Sequence, residues 1–120
     1  MVALNFQKQF AAKVESGEKD QTIRALRKDG RDPKLGDRLQ LYTGMRTKAC
    51  RKLVDPDPIC GEVLLLTITS NAVCSERGVI QTQENLNYFA IADGFKDWQA
   101  LQKWFQKTHG LPFTGQLTRW

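Results

Sequence analysis

Histidine occurs once in this chain of 120 residues and cysteine three times. Cys50, Cys60 and Cys74 lack the paired spacing of a zinc knuckle, and with His109 they are too sparse for a familiar metal site. No metal and no cofactor are implied. An odd number of thiols does not close fully into disulfides, so the expectation is a cytoplasmic protein with reduced cysteines. Met1–Phe10 lacks the unbroken apolar core of a secretory leader, because Gln7 and Lys8 fall inside it. The longest apolar run, Val63–Ile68 with Thr67 inside it, is far short of a membrane span, so no membrane partner is expected. A glycine-rich phosphate loop is also missing, as are repeats, linkers and low-complexity tracts.

What is present is charge, and it is one-sided. Residues 1–52 carry thirteen Lys or Arg against six Asp or Glu, whereas residues 53–120 carry five against seven. A surplus confined to one half favours an anionic partner and speeds encounter with it. The length suits one domain, residues 1–120, with a real hydrophobic core.

Phe6, Phe10 and Val14 recur at helical period, and Gly17 is a suitable stop. Thr22–Arg24 reads as a short strand or extended turn, residues 28–34 as a loop and Gly36-Asp37 as a turn. Arg38–Tyr42 alternates like a half-buried strand. Thr43–Pro58 is expected to be a long exposed loop. Val63–Thr69 is the clearest strand, and another is expected within Gly78–Thr82. Phe95, Trp98, Leu101 and Phe105 mark one buried face of a second helix ending at Gly110, with Trp104 and Trp120 as packing residues. Leu111–Gly115 then turns into a last strand, Gln116–Trp120. This order predicts an α+β domain with a mainly antiparallel, curled sheet, and it does not fit a regular βαβ array.

Gly17-Glu18-Lys19-Asp20-Gln21-Thr22-Ile23-Arg24 sets a lysine, a hydroxyl and an arginine within six residues, at a helix-to-strand junction. Such a cluster can grip an anion or arm a nucleophile. Together with Gly36-Asp37-x-Leu39, Ala92-Asp93-Gly94-Phe95 and the closing Phe105, Gly110, Pro112-Phe113-x-Gly115 and Arg119-Trp120, it resembles the ASCH domain family, in its phage and bacterial branch. The resemblance covers nearly the whole chain. It implies a β-barrel related to the PUA fold, with helices at its N-terminal and C-terminal parts and a cleft beside the first helix. It also implies a partner that is RNA or a modified nucleoside or nucleotide. Members include an amidohydrolase acting on N4-acetylcytidine and a described ribonuclease. In amidohydrolase-like members a lysine, a threonine and a glutamate line the cleft. Lys19 and Thr22 match the first two, and Asp93, one carbon shorter, is the counterpart of the third.

Several chemistries remain open at this level. Lys19 with a lowered pKa could act as base for the Thr22 hydroxyl, with Arg24 lowering it and clamping an anion. Alternatively Asp93 activates water while Lys19 holds the oxyanion. Phosphodiester cleavage would set Lys19 and Arg24 against phosphoryl oxygens, but no histidine pair is present to move protons. His109 reads as an exposed or helix-capping imidazole. Asp93 has a competing and preferred reading as a cap of the second helix. Arg46, Lys48, Arg51 and Lys52 form an auxiliary patch suited to phosphate contacts. Tyr42 reads as a strand aromatic or as a stacking platform for an unpaired base. A protein-interaction module with an unidentified partner is the reading from another class.

Overall fold

A computed structural model describes residues 1–120. Eleven elements follow one another: β1 (Val2–Phe6), α1 (Lys8–Ser16), β2 (Gln21–Arg24), β3 (Leu39–Thr43), β4 (Arg51–Lys52), β5 (Glu62–Ile68), β6 (Val73–Ser75), β7 (Gly78–Ile80), α2 (Gln83–Ala92), α3 (Trp98–Thr108) and β8 (Phe113–Arg119). The class is α+β, as expected. No helix is long and apolar enough to cross a membrane.

The strands form two sheets. In the smaller, ordered β1-β3-β4, β1 runs parallel to β3 from Val2↔Leu39 to Phe6↔Thr43. The larger is antiparallel throughout, in the order β2-β8-β5-β6-β7. No ladder joins the two sheets, so the expected barrel is not closed by backbone pairing. The reason is local: β1 and β2 are edge strands of different sheets, and each turns an unpaired edge towards one opening. Guanidinium groups span part of that gap. Arg24 Nη2 donates to Asn5 O at 2.7 Å and Arg27 Nη2 to Ala3 O at 2.9 Å, satisfying β1 carbonyls that have no strand partner.

Each sheet carries its own core. Ile23, Leu66, Ile68, Phe113 and Leu117 of the larger sheet pack with Trp98, Leu101 and Phe105 of α3 and with Leu86 and Ala90 of α2. Leu4, Phe6, Leu39 and Leu41 of the smaller sheet pack with Ala11 and Val14. Helix α1 lies between, since Phe10 joins the first cluster while its neighbour Ala11 joins the second. A single helix thereby fixes the two sheets at the place where their edges part.

Besides the barrel, the last strand begins at Phe113 rather than Gln116, and Phe95 precedes α3 instead of lying on its face. Two further points need correction. Phe6 ends β1 rather than opening the helix, because Val2, Leu4 and Phe6 follow the strand period and the helix begins at Lys8. A third helix, α2, occupies a segment that carried no helix expectation. It is capped by Thr82, whose hydroxyl accepts from Asn85 N at 3.3 Å, and it buries only Leu86 and Ala90.

Candidate functional site

Helix α1 stops at Gly17, in the left-handed region with φ 84°, and the chain doubles back so that Lys19 N donates to Lys13 O at 3.0 Å. That reversal sends the Lys19 side chain inward. The residue is 3% exposed, its Nζ donates to Asp93 O at 2.5 Å, and it stands 3.6 Å from Asp93 Oδ1. The ammonium also lies 5.1 Å from the centroid of the Phe10 ring and 5.9 Å from that of Phe6, within cation–π range.

Strand period places Thr22 and Arg24 on one face of β2, and Arg24 Nε donates to Thr22 Oγ1 at 3.3 Å. The Arg24 guanidinium rests over Phe6 at 4.9 Å. Asp93 ends α2 as its C-cap, but its carboxylate caps no helix N-terminus. That task falls to Asp97, which accepts from Ala100 N at 2.9 Å. The capping role preferred for Asp93 is therefore corrected: its side chain is buried beside Lys19. All four residues border one cleft of about 440 Å³.

Further residues of the site were not singled out by the sequence. Gln21 is fully buried. Its Nε2 donates to Asp93 Oδ1 at 3.3 Å, while its Oε1 accepts from Arg119 Nη2 at 2.6 Å. Arg119 in turn donates through Nη1 to Glu62 Oε1 at 3.1 Å. A hydrogen-bonded chain thus runs from Glu62 to Lys19 and fixes which way the Gln21 amide faces. The cleft is also lined by Arg27, Trp104, His109 and Gln116. His109 occupies the C-cap position of α3 through its backbone N–H, and its exposed imidazole caps nothing but stacks on Phe113 with centroids 4.5 Å apart. A basic residue three positions beyond Arg24 was the available signal for Arg27, but its contact with Ala3 is visible only in three dimensions.

The auxiliary patch lies elsewhere. None of Tyr42, Arg46, Lys48, Arg51 and Lys52 borders the cleft. Arg51 is paired with Glu15 at 2.5 Å and Lys52 with Asp57 at 2.7 Å, while the Lys52 ammonium covers the Tyr42 ring at 5.9 Å. Only Arg46 and Lys48 of the four cations have no acidic partner. No three histidine, cysteine or acidic side chains cluster closely enough to hold a metal ion.

Burial dominates the electrostatics. It pushes the Asp93 carboxyl up to about 6, against the opposing pull of Lys19, Gln21 and Arg24. It lowers the Lys19 ammonium below its ordinary value, with Asp93 opposing the shift and Arg24 adding to it. Arg24 itself falls to about 10, chiefly through burial and then through repulsion from Arg27. Two opposite charges in contact are both disfavoured, so desolvation outweighs their attraction.

The sign for stability follows from proton counting. Folded Asp93 holds its proton more tightly than the unfolded chain does, so its contribution to stability falls as pH rises from 3.8 through about 6. For Lys19 the unfolded chain holds the extra proton, so stability recovers between its lowered pKa and 10.5. We expect the urea midpoint of the protein to fall between pH 4 and pH 6.5 relative to that of Asp93→Asn, which does not titrate there. Parallel profiles for the two proteins would show that Asp93 is not held up by its surroundings.

Comparison of the chain with family models, with curated proteins and with solved structures gives no match.

Proposed function

We propose that the chain is an ASCH-type, PUA-related module that receives a modified nucleoside or nucleotide, free or unpaired in RNA, and hydrolyses an N4-acyl amide on its cytosine base. The observation that carries this reading is a lysine 3% exposed, desolvated and unusually easy to deprotonate, bordering an open cleft together with Thr22. A lysine of this kind is expensive as mere scaffolding and well suited to act as a base. Aromatic side chains around it, Phe6, Phe10 and Trp104, suit a planar ligand.

Thr22 is the better nucleophile of the two arrangements considered. Its oxygen already accepts from Arg24 Nε, which leaves its own proton free to be donated and supports developing negative charge on the oxygen. Asp93 Oδ1 is engaged by Gln21 and faces Lys19, so the carboxylate serves to hold the lysine rather than to activate water. In the proposed sequence Thr22 Oγ adds to the acyl carbon as its proton passes to Lys19 in its deprotonated form, which burial makes easier to reach. The C–N bond then breaks, and that proton goes to the departing N4 amine. Water hydrolyses the resulting threonine ester, releasing the carboxylic acid and restoring the hydroxyl.

Incubation with N4-acetylcytidine and related N4-acyl nucleosides should release cytidine and the free acid, followed by mass. Rapid quenching in the first turnover should leave the acyl group on the peptide that contains Thr22. Release without any acyl-peptide would replace Thr22 by water as the nucleophile. No release from any acylated cytidine would refute the hydrolytic reading.

A further inference from the structure

The two guanidinium groups at the cleft bridge the sheets, yet neither has an anionic partner. Arg24 spends N–H groups on Thr22 Oγ1 and Asn5 O, and Arg27 on Arg31 O at 3.3 Å and Ala3 O at 2.9 Å. All of these acceptors are neutral. The five ion pairs of the protein involve Lys19, Arg51, Lys52, Arg77 and Arg119, so neither Arg24 nor Arg27 has a carboxylate. Asp32 also borders the cleft, but its Oδ1 accepts the backbone N–H of Arg27 at 2.9 Å and so shapes the loop. The other charged groups facing the opening are Lys19 and Asp93, which answer each other.

Two like charges therefore sit close enough to repel, fixed by neutral acceptors, with further N–H donors on each fork uncommitted. Arg24 is held against β1 by Asn5 O and the Phe6 ring, and the exposed loop carrying Arg27 is held by the bond of its N–H to Asp32 Oδ1 and, further on, by Gln116 Nε2 donating to Pro33 O at 2.8 Å. Paired guanidiniums presenting planar forks match the geometry of a phosphate better than that of any neutral group.

We propose that Arg24 and Arg27 together form a phosphate-binding site at the cleft, so that the true ligand is a nucleotide rather than a free nucleoside. The identity of the base-bearing ligand rests on the function proposed above; the phosphate site itself does not. The phosphate is either the monoester of a mononucleotide or a diester of single-stranded RNA, and the two sources share the same recognition chemistry.

Calorimetric titration with inorganic phosphate, cytidine, cytidine 5′-monophosphate and a short single-stranded RNA separates these cases. Wild type should bind the monophosphate about tenfold or more tightly than cytidine, as expected for charge-assisted hydrogen bonds. In Arg27→Gln that ratio should shrink towards one, and Arg27→Lys should retain part of it. The salt dependence of binding should also lose about one unit of slope in Arg27→Gln. RNA binding that depends on Arg27 while the monophosphate binds no better than cytidine assigns the site to a diester. Arg27-dependent binding of inorganic phosphate without any binding of cytidine supports the phosphate site and removes the proposed base. Equal affinities for cytidine, its monophosphate and the RNA in wild type, or affinities unchanged in a folded Arg27→Gln, would overturn the proposal.

Discussion

Lys19→Met should lose turnover of an N4-acylated cytidine by about 10³-fold in kcat, the range set by removal of a positioned general base. Methionine keeps an unbranched stem in the channel beside Phe10 and Gly94, so packing is largely preserved while the titrating nitrogen is removed. The cost in stability falls on Asp93, which stays buried without its cation. Breaking such a pair costs about 3 kcal/mol once the pH is high enough to ionise the carboxyl, whose pKa rises further when the Lys19 charge that lowers it is removed. At pH 5 the carboxyl already carries its proton, because burial holds its pKa at about 6, and the cost should shrink. The two readouts are separable because kcat is read on the folded protein and stability by urea unfolding. The activity loss is largest where wild-type Lys19 is deprotonated, whereas the stability loss follows ionisation of Asp93. Full turnover in the methionine variant would remove Lys19 from the chemistry, whatever its effect on folding.

The parts of this site that were legible in the sequence are those carried by short-range pattern. Thr22 and Arg24 share a face because strand period demands it, and Thr22-Ile23-Arg24 already suggested extended backbone, as a strand or a turn. The inward course of Lys19 depended on the whole-chain resemblance, since nothing in the local spacing distinguishes a buried lysine from a surface one. Long-range partners were not legible. Gln21 gains its role from Arg119 and Asp93, and Arg27 from Ala3, contacts that only the folded sheets bring together. The first helix was started too early because Phe6 fits two periods at once, four with Phe10 and two with Leu4; its pairing with Thr43 settles the matter. Helix α2 escaped notice because only two of its residues are buried and its apolar residues do not keep to one face. The separation of the strands into two sheets is a related case. Alternation identifies strands, but it does not say that two of them will meet through arginine side chains instead of backbone.

Gly94→Ala should destabilise the protein by about 3 kcal/mol, combining the cost of a left-handed non-glycine residue with overpacking. Gly94 has φ 92°, and a Cβ built there would lie 2.8 Å from Lys19 Cδ and 3.3 Å from Phe10 Cδ1. Backbone strain and steric collision can be told apart within this chain. Gly17 has a similar φ of 84° with nothing within 4 Å of its would-be Cβ, so Gly17→Ala should cost only the backbone part, about 1 kcal/mol. The excess at Gly94 then measures how tightly the lysine channel is closed. Combining Gly94→Ala with Lys19→Ala should recover part of that excess, because the colliding methylenes are gone, and the two substitutions should fail to add. Strict additivity would mean that the lysine stem is free to move aside. A mobile stem would not hold Nζ in place against Asp93, and the precise placement on which a buried base depends would be lost.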